Sequence, residues 1–302
     1  MSLWSKSADC LCSTGIPYHA LFTGEAGDAM SLTTSACAEG YRRFIAVGGD
    51  GTVHDVLNGI MSYLHDDTTS GLDDFTLAVI PAGSGNDWIR TSGVPKDILE
   101  ASLLLKNGRI AKQDVVRVTL LDSSALPDHR PLRVSYMANV GGVGLDASVC
   151  SMVNDAKKNG RSGKMLYVNA LARNLIHRKK SVAKVLCGQE EVFSGAYISM
   201  SFGIGKYSGG GMRQTPEAIL DDGLLDMTVI PDLPLSKLAV ESPKLLNGKL
   251  LTVKEVVVSR GRSFVVLPDD GASVPVEVDG EVIGNAPVRF DILDRCLNIL
   301  VP

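Results

Sequence analysis

The chain has 302 residues, 45% hydrophobic and 21% charged, enough to bury a sizeable core and, at roughly 150 residues per domain, to form about two domains. Thirty Lys and Arg stand against 34 Asp and Glu for a net charge of -4, so no global basic field exists for nucleic acid and any anionic ligand must be held locally. This composition excludes wholesale disorder, collagen and coiled coil.

From the amino terminus, MSLWSKSADCLCSTG lacks the apolar run of a signal peptide, and no stretch approaches the ~20 apolar residues of a spanning helix. The expected location is the cytoplasm. Six cysteines are spread along the chain with no C-x-x-C pair, which fits neither a zinc frame nor a disulfide scaffold.

Up to about residue 118, β-branched runs alternate with helical periodicity, as in parallel strands joined by crossover helices. Arg43–Val47 reads as a strand, Gly48-Gly49-Asp50-Gly51 as a loop, and Thr52–Leu64 as a helix whose apolar face is Val53, Val56, Leu57, Ile60 and Leu64. Leu77–Ile80 then enters a second loop, Pro81-Ala82-Gly83-Ser84-Gly85-Asn86-Asp87, with another helix around Lys96–Lys106. Two such units in succession place both loops outside the carboxyl ends of neighbouring strands, where open α/β sheets bind ligands.

Beyond residue 118 the pattern changes to short alternating strands: Val115–Leu121, Leu132–Val140, Ala196–Phe202, Leu224–Ile230, Lys254–Ser259, Ser263–Leu267, Val274–Val278 and Val288–Leu293. Their spacing predicts a β-sandwich or barrel-like second domain. One helix, about Lys164–Lys180, interrupts it; cations at its end complement the helix dipole or meet anionic lipid head groups.

Consecutive glycines expose backbone N–H groups, and a following helix start adds partial positive charge, so phosphate is the natural guest of both loops. Neither is a Walker A loop, as G-x-x-x-x-G-K-[ST] is absent. An aspartate within a phosphate loop repels its ligand unless a divalent cation intervenes, so Asp50 beside the Thr52 hydroxyl suggests Mg-nucleotide; the alternative is a loop with a helix cap. Gly142-Val143-Gly144-Leu145-Asp146-Ala147 mimics a dinucleotide fingerprint but lies outside any clear βαβ frame. Asp279-Gly280-Glu281 reads as a hairpin turn and Asp221-Asp222-Gly223 as an acidic one.

The stretch Gly48–Gly59 (GGDGTVHDVLNG) followed by Pro81–Asp87 (PAGSGND) resembles the two nucleotide-binding motifs of the diacylglycerol kinase catalytic-domain family, which includes bacterial lipid kinases, ceramide kinases and sphingosine kinases. The similarity continues through Gly141–Ala147, Leu220–Asp226 and Val278–Glu281, five motifs in order over nearly the whole chain.

The resemblance implies an amino-terminal α/β domain like that of NAD kinases and phosphofructokinases over residues 1–118. A carboxyl-terminal β-sandwich would occupy 119–302, its last strand a candidate to return to the first domain, with ATP in the cleft. It also implies an ATP-dependent lipid kinase acting on a hydroxyl of a lipid such as diacylglycerol, docked peripherally at a membrane. The family pattern assigns Gly48, Gly49, Gly51, Thr52, Gly83, Ser84, Gly85, Asn86 and Asp87 to ATP. Glu281 is the implied proton acceptor, with Asp50 the competing base. Magnesium falls to Asp222 with the carbonyls of Ile219 and Leu224, and the lipid head group to Asp146, for which a helix or turn cap is the other reading. A soluble-metabolite kinase of the NAD kinase type and a non-catalytic nucleotide-binding protein are the alternatives, and the sequence leaves oligomeric state open.

Members of the family usually open with a buried strand ending in an Asn-Pro-x-x-Gly-like turn. No such motif precedes Ala46, which leaves one wall of the implied ATP site to be supplied otherwise. Asp55 and Ser84 stand where Glu and Thr are commoner, and both keep the functional group.

Overall fold

The computed structural model describes residues 3–25, 27–67, 69–122, 130–158, 169–170, 172–175, 181–269 and 272–302. Its first half packs helices α1 (Leu3–Thr14), α2 (Asp28–Ala38), α3 (Asp50–Asp66), α4 (Asp87–Ser92) and α5 (Ile98–Asn107) around strands β1 (Arg43–Gly48) and β2 (Thr76–Pro81). These two strands run parallel and in register, from Arg43 opposite Thr76 to Gly48 opposite Pro81, so their carboxyl ends finish side by side. The α3 helix buries Val53, Val56, Leu57 and Ile60, its predicted apolar face, in a core with Leu77, Val79, Trp88 and Ile299.

The β-rich half contains β3 (Arg109–Leu121), β4 (Pro131–Met137), β5 (Val140–Gly144), β6 (Ser181–Cys187), β7 (Glu190–Gly203), β8 (Leu225–Pro231), β9 (Val257–Gly261), β10 (Ser263–Pro268), β11 (Val274–Val278), β12 (Glu281–Ala286) and β13 (Val288–Val301). One helix, α6 (Leu145–Lys158), follows β5 directly. Alternate residues of these strands fill a second core, where the rings of Phe202 and Phe290 stack with centroids 4.3 Å apart.

A single strand serves both cores. Before its bend at Arg295 (φ 43°) β13 pairs antiparallel with β10; beyond it, β13 lies parallel to β2; β3 follows it on both sides of the bend. The predicted fold class, an α/β half and a β-sandwich half, is the one observed, joined through a 13-stranded sheet with the path β1-β2-β13-β10-β6-β7-β5-β11-β12.

Some boundaries differ for physical reasons. The run expected as one strand over Leu132–Val140 is two, broken at Ala138 and Asn139, whose backbone N–H groups leave the ladder for the Asp279 carboxylate. Leu3–Thr14 is a helix packed on α5, so it adds no strand beside β1, which pairs only with β2 among the described residues. The α2 sequence, DAMSLTTSACA, is rich in Ser and Thr and hides its helical nature until it docks on α3. Most of the helix expected over Lys164–Lys180 lies outside the described residues.

Candidate active site

The two glycine loops touch. A Cβ on Gly83 would sit 2.5 Å from the Cα of Gly49, and one on Gly49 would sit 3.1 Å from the Cα of Gly83, so only glycine permits this approach. Asn86, in the left-handed region at φ 52°, starts α4 and donates from Nδ2 to the Gly83 carbonyl (2.8 Å). Its Oδ1 is buried beside both loops without a partner, an acceptor available to a ligand. Ser84 is exposed, while the Thr52 hydroxyl folds back over Gly48.

Asp50 binds the loops to each other. Its Oδ1 accepts from the backbone N–H groups of Asp87 (2.8 Å) and Trp88 (2.9 Å) at the start of α4, while Oδ2 lies over Gly85. Burial raises its pKa and the two amides oppose that rise. Asp87 accepts from Gly210 N–H (2.6 Å) and faces Arg90 Nε at 3.2 Å, and burial together with the charge of Asp50 raises it to about 6. Gly210 belongs to the Ser208–Met212 turn of the β-rich half, so this contact joins the two halves. Beside the second loop a cavity of about 560 Å³ opens between Pro81–Gly83, Asn86, Lys6 of α1 and Lys96, a volume that fits a small-molecule ligand.

The β11–β12 hairpin closes the opposite side. Asp279 (φ 52°) and Gly280 (φ 90°) form the tight turn expected of Asp-Gly, and Glu281 follows as the first residue of β12. Glu281 Oε1 lies 3.6 Å from the point where a Cβ on Gly51 would begin, over the start of α3. Asp279 is buried, accepting from Ala138 N–H (2.8 Å) and Asn139 N–H (2.9 Å) and facing His54 Nδ1 at 3.3 Å. Burial pushes the His54 pKa down, but the hydrogen bond and charge of Asp279, with Asp55 and Glu281 behind it, outweigh this and raise it. One turn further, Asn58 exchanges hydrogen bonds with the Tyr136 backbone (2.8 and 2.9 Å).

Asp146, in the first turn of α6, is buried and accepts from the hydroxyls of Ser199 (2.6 Å) and Ser201 (3.0 Å). Burial raises its pKa. Asp222 holds the Leu224 N–H (3.1 Å) and pairs with Arg260, whose guanidinium also reaches Asp226 (3.0 Å). Ile219 and Leu224 flank this turn, and the carbonyl engaged there is that of Leu220, which accepts from Asp114 N–H (2.7 Å).

Residues 2–118 match the diacylglycerol kinase catalytic domain, and residues 139–301 match the YegS C-terminal NAD kinase beta sandwich-like domain. The chain belongs to the diacylglycerol kinase catalytic-domain family. It is thus a lipid kinase, a phosphotransferase. A probable lipid kinase YegS-like of Xanthomonas euvesicatoria pv. vesicatoria is 29% identical over 98% of this chain and 91% of its own length. A probable lipid kinase YegS-like of Pseudomonas syringae pv. syringae is 25% identical over 93% of this chain and 82% of its own. The crystal structure of a diacylglycerol kinase from Bacillus anthracis str. Sterne shares the fold, with TM-score 0.67 and 19% identity over 99% of this chain and 91% of that one.

For a member of the diacylglycerol kinase family the touching glycine loops, the unpartnered Asn86 oxygen and the adjoining cavity suit a nucleotide. The Asp222 carboxylate that the resemblance assigns to magnesium is paired with Arg260 here. Four features are given no role by the sequence: His54 and Asn58, inside the first motif, and the Ser208–Met212 turn and Glu277, outside the motifs. His54 and Asn58 carry a legible signal, two polar residues four apart on the buried side of α3. The run Gly209-Gly210-Gly211, all at positive φ, is another.

Proposed function

We propose that this lipid kinase transfers the γ-phosphate of ATP to a hydroxyl of diacylglycerol or a closely related lipid, in a cleft between residues 1–118 and 119–302. The observation that carries the reading is the placement of the Glu281 carboxylate over Gly51, at the head of α3 and beside the paired glycine loops. Phosphoryl transfer needs a held phosphate chain, an aligned acceptor oxygen and a carboxylate to take its proton. Backbone N–H groups of Gly49, Gly51, Gly83 and Gly85, with the Thr52 and Ser84 hydroxyls, would hold the phosphates, and Asn86 Oδ1 would accept from the nucleotide.

In the reaction the lipid oxygen attacks the γ-phosphorus, its proton passes to Glu281, and the bond from that phosphorus to the bridging oxygen breaks to release ADP. Glu281 is favoured over Asp50 as the base because Asp50 Oδ1 already accepts two backbone hydrogen bonds and orients α4. Magnesium enters this reading as the counter-ion of ATP, arriving with the nucleotide. Asp146 would face the lipid head group from α6. No described helix is long and apolar enough to cross a membrane. In this reading the enzyme meets its lipid by peripheral contact from the cytoplasmic side.

Transfer of labelled phosphate from ATP to diacylglycerol, ceramide, sphingosine and phosphatidylglycerol in mixed micelles, with NAD as a soluble acceptor, tests the reading. Label in a lipid supports it, label only in NAD moves the protein to the soluble-metabolite kinases, and no label in any acceptor counts against a kinase of this kind.

A further inference from the structure

Glu277, on β11, is a deeply buried carboxyl, 1% exposed, and nothing in the proposed reaction uses it. It lies on β11 opposite Gly142 of β5, at a register shift in the β11–β12 ladder. Its Oε2 accepts from the Gly280 N–H at 2.8 Å. That bond runs from the strand into the turn that ends in Glu281, and it fixes a glycine in the left-handed region at φ 90°. The same turn carries Asp279, anchored by Ala138 and Asn139. The turn is therefore held from two sides, by Asp279 reaching out of it and by Glu277 reaching into it.

The other oxygen, Oε1, lies over Gly142 of β5. A Cβ on Gly142 would lie 3.0 Å from Glu277 Oε1 and 3.1 Å from Asp146 Oδ2, so the two carboxyls converge over one glycine. Burial, with the charges of Asp146, Asp279 and Glu281, holds the Glu277 pKa well above the usual carboxylate range despite the Gly280 amide. A neutral carboxyl accepts with one oxygen and donates with the other, which suits a site that offers an N–H on one side and an acceptor on the other.

We infer that Glu277 is a positioning residue that sets the reacting carboxylate of Glu281 by holding the Gly280 amide from beneath the turn. This inference rests on the proposed role of Glu281. A misplacement of about 1 Å at such a carboxylate lowers turnover by as much as about 100-fold.

The experiment compares Glu277→Gln, Glu277→Met and Glu281→Gln in the full chain, with kcat and KM for ATP, thermal midpoint and hydrogen exchange at the Gly280 amide. Gln keeps an acceptor for Gly280 in the same shape, so it is expected to keep kcat, the pH profile and slow exchange. Met fills the volume without an acceptor, so it is expected to speed Gly280 exchange and lower kcat about 10- to 100-fold with KM for ATP unchanged. If the Met variant folds and its Gly280 exchange and kcat match the wild type, the inference is overturned. If it does not fold, the decision passes to Gln: loss of kcat or faster exchange in a folded Gln variant overturns the inference, while wild-type values support it. Full turnover of Glu281→Gln while Gly280 exchange still responds to Met identifies the role of Glu281, not the hold on the turn, as the part that fails.

Discussion

His54 Nδ1 and Asp279 Oδ2 stand 3.3 Å apart although 225 residues separate them in the chain. One belongs to the helix that opens on the first glycine loop, the other to the turn that carries Glu281, so this contact ties the two halves together. Asp279→Ala would leave the Ala138 and Asn139 amides buried without acceptors and is expected to cost about 3 kcal/mol in urea unfolding. The His54 share has a definite pH sign. Its pKa in the fold is raised above 6.5, so the stabilisation is fully present below that value and fades as pH rises through the folded pKa. The stability difference between wild type and His54→Gln should therefore shrink from pH 5.5 to pH 8.5.

Asp50 serves two readings that substitution separates. Asp50→Ala strands the Asp87 and Trp88 amides and is expected to lower stability by about 2 kcal/mol and to weaken nucleotide binding. Asp50→Asn keeps an acceptor for both amides and should bind nucleotide nearly as well, with turnover reduced less than tenfold. A loss of turnover in Asp50→Asn comparable with that of Glu281→Gln, measured under saturating ATP, would make Asp50 the base instead.

Much of this site could be read along the chain because each loop is a local object. A strand, a glycine turn and an amphipathic helix are contiguous in Arg43–Leu64, and Asp279-Gly280 alone dictates a hairpin. The partners across the cleft could not be read this way. Nothing local in His54, Asn58 or Glu277 announces Asp279, Tyr136 or the Gly280 amide, because those contacts depend on how the two halves pack. That β13 bends to serve both cores has no local signal in its residues; only the family resemblance makes the last strand a candidate to return. Its bend sits at Asp294-Arg295-Cys296, where Asp114 of β3 accepts the Arg295 N–H (2.6 Å).

Asp87 predicts a second pH dependence of the same sign in a lower pH window. Its pKa in the fold is about 6 against 3.8 unperturbed, so between these values the folded state binds more protons and stability falls as pH rises, then levels above about 6. The cost above that pH is at most on the order of 3 kcal/mol, with the attraction of Arg90 already included. Asp87→Asn keeps an acceptor for Gly210 N–H and removes the charge. Its thermal midpoint, followed from pH 4 to pH 8, should exceed that of the wild type above pH 6 and converge with it near pH 4.

Gly142→Ala tests whether the convergence of Asp146 and Glu277 tolerates any side chain between them. The new Cβ would lie 2.7 Å from the Cβ of Asp146 and 3.0 Å from Glu277 Oε1, so α6 or β11 must shift. Overpacking of this kind costs about 1–3 kcal/mol. A thermal midpoint equal to that of the wild type would show that the two carboxyls are less tightly held than their positions imply.

Glu281→Gln is the most direct test of the chemistry. Glutamine has the shape of glutamate and does not take a proton from an attacking hydroxyl, and Glu281 is exposed, so little stability depends on it. Removing a general base lowers turnover by about 100- to 10,000-fold. The expected result is a fall of that size in kcat for lipid phosphorylation, with nucleotide affinity and thermal midpoint unchanged because the glycine loops and the Asp279 anchors are untouched. Retention of kcat within a few-fold would remove Glu281 from the reaction, and a parallel loss of nucleotide affinity would assign it to holding phosphate instead of moving a proton.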